Sequence, residues 1–119
     1  MKRWLSFVKS GPTVAVLRLN GAIGLGGRMA LSDTSLAPLI EKVFKRGKPD
    51  VLALEINSPG GSPVQSSLIA GRIRRQAAEK NIPVIAFVED VAASGGYWLA
   101  SAADEIYADH SSIIGSIGG

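Results

Sequence analysis

The sequence predicts an α/β fold in which a mostly parallel sheet alternates with helices, and two observations carry that prediction. Residues 13–19 (TVAVLRL), 51–56 (VLALEI) and 84–88 (VIAFV) are apolar, β-branched runs with little polar interruption that read as strands, the first of them buried on both faces. The second and third runs each lead into a glycine-rich turn that opens a helix, which is the strand–turn–helix succession of βαβ units.

Residues 1–12 precede the first strand as a basic and apolar tail, leaving 13–119 as one domain. The start, MKRWLSFVK, has the charge of a secretory leader, but its apolar run is broken by Ser6 and ended by Lys9, and it is too short to span a membrane. It reads either as a frayed terminus or as a segment resting on an anionic membrane surface. After strand 13–19, Asn20-Gly21 marks a turn. Residues 23–30, with Gly24, Gly26 and Gly27, form a connection or substrate-side loop that lacks the GxxxxGK[ST] of a phosphate loop.

From Leu36 the apolar residues Leu39, Ile40, Val43 and Phe44 recur at helical spacing. Ser35 caps this helix, Pro38 falls in its first turn, and Gly47 and Pro49 stop it. Strand 51–56 follows, then Asn57-Ser58-Pro59-Gly60-Gly61. Ser62, Pro63 and Gln65 make the N-cap, N1 and N3 of a capping box opening a helix over 63–80, whose Arg72, Arg74, Arg75 and Lys80 form a solvated basic face. Asn81-Ile82-Pro83 ends it. Strand 84–88, an Ala-rich buried helix over 95–103, a short strand at 106–108 and the closing segment 111–119 (SSIIGSIGG) complete the chain.

Composition removes several function classes. The 119 residues are 46% hydrophobic and 19% charged, as in a globular domain. A net charge of +3 and few aromatic residues argue against a nucleic-acid partner. With no cysteine there is no disulfide and no thiol nucleophile, and one histidine among scattered carboxylates offers no metal-ligand spacing. No cofactor is expected.

Chemistry concentrates in two turns. Ser94, in Ala92-Ala93-Ser94-Gly95-Gly96-Tyr97-Trp98, stands where a strand gives way to a helix. It is either a helix cap or a nucleophile whose Oγ is presented beside the free N–H groups of a first turn. Gly60 and Gly61 lack Cβ atoms, so their N–H groups can approach a ligand closely as an oxyanion hole, or they serve a tight turn alone. In parallel βαβ architecture the loops after strand C-termini share one edge of the sheet, so the two turns are expected to converge.

INSPGG at 56–61, ASGGYWLA at 93–100 and IGSIG at 114–118, in that order and separation, resemble the signal peptide peptidase A (protease IV) family of serine peptidases, within the Clp/crotonase superfamily. The resemblance covers nearly the whole chain from Thr13 onward. It implies a Clp/crotonase-like ββα superhelix, incomplete at the C-terminus. It also implies a Ser-Lys dyad forming an acyl-enzyme, with Ser94 as nucleophile, Gly95 and either Gly60 or Gly61 as oxyanion donors, and Ser116 positioning the lysine. That lysine normally follows the IGSIG segment, so it is expected beyond Gly119.

Within the chain, His110 has no family motif behind it, Glu89 and Asp90 are weak bases for a serine proton, and Lys80 is expected at the opposite end of the sheet. The expected partners are extended apolar peptides such as cleaved signal peptides, further copies of the chain, and peripheral membrane contact. The expected location is cytoplasmic or peripheral at the inner membrane. Two alternatives stand beside a peptidase: an inactive assembly subunit of the same fold, and a crotonase-like acyl-CoA enzyme, against which ASGGYW argues.

Overall fold

The computed structural model describes residues 13–25, 30–92, 98–108 and 113–114, with backbone alone considered at 89–92 and 113–114. The tail at 1–12 lies outside these residues. Strands β1 (Val14–Asn20), β2 (Val51–Ser58), β3 (Val84–Ala92) and β4 (Glu105–Ala108) stand side by side in sequence order, and β5 (Ile113–Ile114) pairs with β3 beyond β4. Every pairing is parallel. Helix α1 (Asp33–Lys45) joins β1 to β2, and α2 (Pro63–Lys80) joins β2 to β3.

Because the strand order never reverses, right-handed crossovers all land on one face. That face holds the core: Leu17 and Leu19 of β1, Leu52, Leu54 and Ile56 of β2, and Val84, Ala86 and Val88 of β3, under Ile40 and Phe44 of α1 and Ile69 and Ile73 of α2. Residues 98–100 are helical and bury Leu99 and Ala100 at the same core; 95–97 of the expected 95–103 helix lie outside the description, and 101–103 are turn and bend rather than helix. The other face is open. Val14 and Val16 of β1 are 51% and 49% exposed, and the rings of Phe87 and Tyr107 stack across β3 and β4 at 5.7 Å between centroids. The expectation that the first strand is buried on both faces is therefore corrected: β1 is an edge strand covered on one side.

Three local expectations also change. α1 begins at Asp33, with Ser32 rather than Ser35 as N-cap. Ser35 is the N3 partner, its N–H donating to Ser32 Oγ at 3.2 Å and its own Oγ accepting from the Ser32 N–H at 3.1 Å. Pro38 consequently sits inside the helix rather than in its first turn. At α2, Ser62 Oγ accepts from the Gln65 N–H, but the Gln65 side chain does not close the box. Its Oε1 accepts instead from the Asp33 N–H at 2.8 Å, so a buried glutamine of α2 satisfies one free donor at the start of α1. The basic face of α2 is not simply solvated. Arg72 grips Asp33 with two hydrogen bonds of 2.8 and 2.9 Å, and Arg74 donates to the Ala102 carbonyl and to Asp104.

Candidate active site

The sheet register decides how the strands that lead into the motif segments line up. β2 and β3 run in step from Leu52↔Val84 to Ile56↔Val88, and then the ladder shifts so that Ser58 pairs with Ala92. One residue of β2, Asn57, thus faces three of β3, a bulge that draws the end of β3 back level with the end of β2. On the far side of β3, Ala92 pairs with Ile114. Ser58, Ala92 and Ile114 form one row across three parallel strands, from which the chain continues into PGG, into ASGG and into GSIGG.

The first of these exits is held by backbone hydrogen bonds from the segment after β1. Ile23 donates its N–H to the Gly60 carbonyl at 3.0 Å and accepts the Ser62 N–H at 2.9 Å, in a parallel bridge centred on Gly61, while Gly21 donates to the Asn57 carbonyl. Gly60 and Gly61 have φ of +102° and +148°, and a Cβ on Gly61 would collide with the Ile23 carbonyl, so glycine is obligatory there.

The two glycine N–H groups are not equivalent. That of Gly60 is buried and donates to Ser58 Oγ at 3.1 Å. That of Gly61, an exposed residue, has no partner among the described residues, and in the parallel bridge it points away from Ile23, toward the side on which β3 lies.

Of the residues singled out by sequence, Gly60 and Gly61 stand at this edge, whereas Ser94, Gly95, Ser116 and His110 lie outside the described residues. The backbone of Glu89 and Asp90 forms part of the bulge. Lys80 closes α2, and Lys42, Lys45 and Lys48 follow or close α1. Both helices return against the strand direction, so these described lysines lie at the opposite edge of the sheet. The cleft between Arg74, Asn81 and Asp104 lies there too. Two participants escaped the sequence reading: Ile23, concealed in a glycine-rich loop, and Ser58, whose signal was a hydroxyl at a core position in the 52, 54, 56, 58 alternation.

The charged groups near α1 and β3 are structural. Arg72 holds the Asp33 carboxyl below its ordinary value, against partial burial, and Asp33 in turn raises the guanidinium of Arg72. Asp104 is lowered chiefly by the Val84 N–H that it accepts at 2.8 Å, and also by Arg74. On the open face, hydrogen bonding to Glu105 raises the Tyr107 hydroxyl. Among the described residues no group of three or more His, Cys, Asp or Glu is placed to hold a metal ion.

Comparison with known proteins identifies the family that these motifs resemble. Residues 76–118, spanning β3 and the ASGG and GSIG segments, match the model of peptidase family S49. The chain belongs to peptidase family S49. Among curated S49-like relatives, the chloroplastic serine protease SPPA of Arabidopsis thaliana is 36% identical over 125 residues, covering 99% of this chain and 18% of that protein. A protein of Brucella melitensis named Na(+)/H(+) antiporter NhaA is 56% identical over 108 residues, covering 88% of this chain but 15% of its own length. The antiporter name is that relative's, and among the described residues no helix is long and apolar enough to cross a membrane.

Among solved structures, a serine-to-alanine mutant of the 1510-N membrane-bound stomatin-specific protease superposes with a TM-score of 0.62 at 21% identity, covering 83% of this chain and 44% of that one. An enoyl-CoA hydratase/isomerase family member gives 0.59 at 21%, covering 88% and 47%. Both show a shared Clp/crotonase-like fold. This S49 chain spans between 15% and 35% of the length of the curated relatives it matches.

Proposed function

We propose that the row Ser58–Ala92–Ile114 is the floor of a serine endopeptidase site. Ser94 acts as nucleophile and the N–H groups of Gly61 and Gly95 act as oxyanion donors. The register supports this reading. Ser58 pairs with Ala92, neighbouring strands lie about 4.8 Å apart, and Ser94 follows Ala92 by two residues of sequence, at most about 7 Å of chain. Gly60 is relieved of the donor role because its N–H already belongs to Ser58.

In the proposed reaction Ser94 Oγ attacks the scissile carbonyl and passes its proton to a neutral lysine. The carbonyl oxygen gains the charge and is held by the two N–H groups. Collapse expels the amine, which takes the proton from the lysine, and leaves an acyl-enzyme. Water, deprotonated by the same lysine, then releases the acid and restores the serine. The described lysines lie at the wrong edge, so the base is assigned to a lysine outside the described residues or to a neighbouring copy, with Ser116 orienting it. Extended apolar peptides, including cleaved signal peptides, are the proposed substrates, and a homo-oligomer in peripheral contact with a membrane is the proposed assembly.

That same distance from every described lysine favours one other reading, a non-catalytic assembly subunit. Peptide cleavage by the full-length protein separates the two. The peptidase reading expects turnover that Ser94→Ala abolishes. Absence of turnover from purified full-length oligomer, or turnover unaffected by Ser94→Ala, overturns it.

A further inference from the structure

We infer that Ser58 is a positioning residue whose buried hydroxyl keeps the Gly61 N–H aimed into the site. This rests on the proposed peptidase reading and assigns a role to a residue that neither touches the peptide nor reacts.

Ser58 is fully buried at the end of β2. The positions sharing its face, Leu52, Leu54 and Ile56, are fully buried aliphatic side chains, so packing alone favours a fourth apolar residue. A hydroxyl in such a place is costly unless it is hydrogen-bonded, and here it accepts the Gly60 N–H. That bond acts on orientation. The peptide between Gly60 and Gly61 is trans and planar, so its C=O and N–H point in opposite directions. With the Gly60 carbonyl held by the Ile23 N–H, the Gly61 N–H must face away from Ile23.

A glycine pair leaves this arrangement only weakly fixed by its own backbone, because rotation about Gly60 ψ and Gly61 φ would flip the peptide and turn a carbonyl toward the developing oxyanion. Ser58 clamps the preceding peptide through the Gly60 N–H, and Ile23 clamps the following one. Gly60 is therefore gripped on both sides: a flip of the Gly60–Gly61 peptide must break the Ile23 bond, and the Ser58 bond fixes the peptide from which that turn starts.

The experiment uses full-length protein, a fluorophosphonate probe and a peptide substrate, with Ser94→Ala as reference. Ser58→Ala is expected to lower kcat and the labelling rate at least tenfold while KM stays within about twofold, because the lost quantity is transition-state stabilisation. Ser58→Thr, which restores a hydroxyl, is expected to recover most of the rate. In the unaltered protein the Gly60 amide should exchange its hydrogen at least a hundredfold more slowly than the free Gly61 amide, a readout that needs no variant to fold.

Ser58→Ala reacting at the parental rate, Ser58→Thr as slow as Ser58→Ala, or equal exchange at Gly60 and Gly61 each overturns the inference. Labelling that persists in Ser94→Ala instead overturns the peptidase reading, and the positioning role falls with it.

Discussion

Ser58 of β2 stands opposite Ala92 of β3, although Ile56, two residues earlier, stands opposite Val88. The two extra residues taken up by β3 bring the ASGG exit level with the PGG exit. With in-step pairing over the present sequence Ser58 would face Asp90 instead. Inserting two residues directly after Ala92, which sets the serine segment two residues farther from that row, is therefore expected to abolish peptide cleavage while leaving far-ultraviolet circular dichroism largely unchanged. Retained cleavage would show that the register does not align the site.

Gly61 tests the clamp from the segment after β1. Its φ of +148° and the Ile23 carbonyl against its Cα leave no room for a side chain. Gly61→Ala should cost about 2–3 kcal/mol in denaturant unfolding and most of the activity. Gly24→Ala, where a Cβ meets nothing within 4 Å, should stay within about 0.5 kcal/mol of the parent.

The single helix layer makes the two faces of the sheet unequal. Leu54→Ala or Ile73→Ala, under the helices, should cost about 2–5 kcal/mol, while Val16→Ala on the open face should cost less than about 1 kcal/mol. Chemical denaturation of the three variants compares them directly.

Capping separates Ser32 from Ser35. Ser32 accepts the N3 amide as the cap, so Ser32→Ala should lower stability by about 1 kcal/mol, and Ser35→Ala, which removes only the reciprocal half of the box, by less. A larger loss from Ser35→Ala than from Ser32→Ala would place the helix start where the sequence alone suggested it.

Acid stability follows from Asp33 and Asp104, whose carboxyls are lowered from 3.8 by Arg72 and by the Val84 N–H respectively. Below 3.8 the unfolded chain binds protons that the folded chain resists, so stability rises with pH through that range. The contribution is fully present above the unfolded value and is lost as pH falls through the lower folded values. An Asp33→Asn/Asp104→Asn protein should be less stable at about pH 7 and should lose less on going from about pH 5 to about pH 2. A parallel pair of stability curves would contradict the assignment.

The strands and helices were legible because apolar runs and helical spacing are local properties. The open face of β1 was not, since exposure there depends on strand order: Val14 and Val16 look like core until both described crossover helices are found on the other side. The apolar run of β3 ends at Val88, and the strand itself continues through Glu89, Asp90 and Val91 to Ala92. Parallel topology sets the ends of β2 and β3 at one edge, as the sequence anticipates, and the difference between the Gly60 and Gly61 N–H groups rests on the Ser58 hydrogen bond, which depends on how β2 ends rather than on the turn's composition.

The central claim is that Ser94 is the activated nucleophile at the Ser58–Ala92–Ile114 edge. The most direct test is fluorophosphonate labelling of the full-length protein followed by mass-spectrometric mapping of the adduct. A single stoichiometric adduct on Ser94, absent after heat denaturation and in Ser94→Ala, is the predicted result. An adduct on another serine, or none on folded and oligomeric protein, would contradict it.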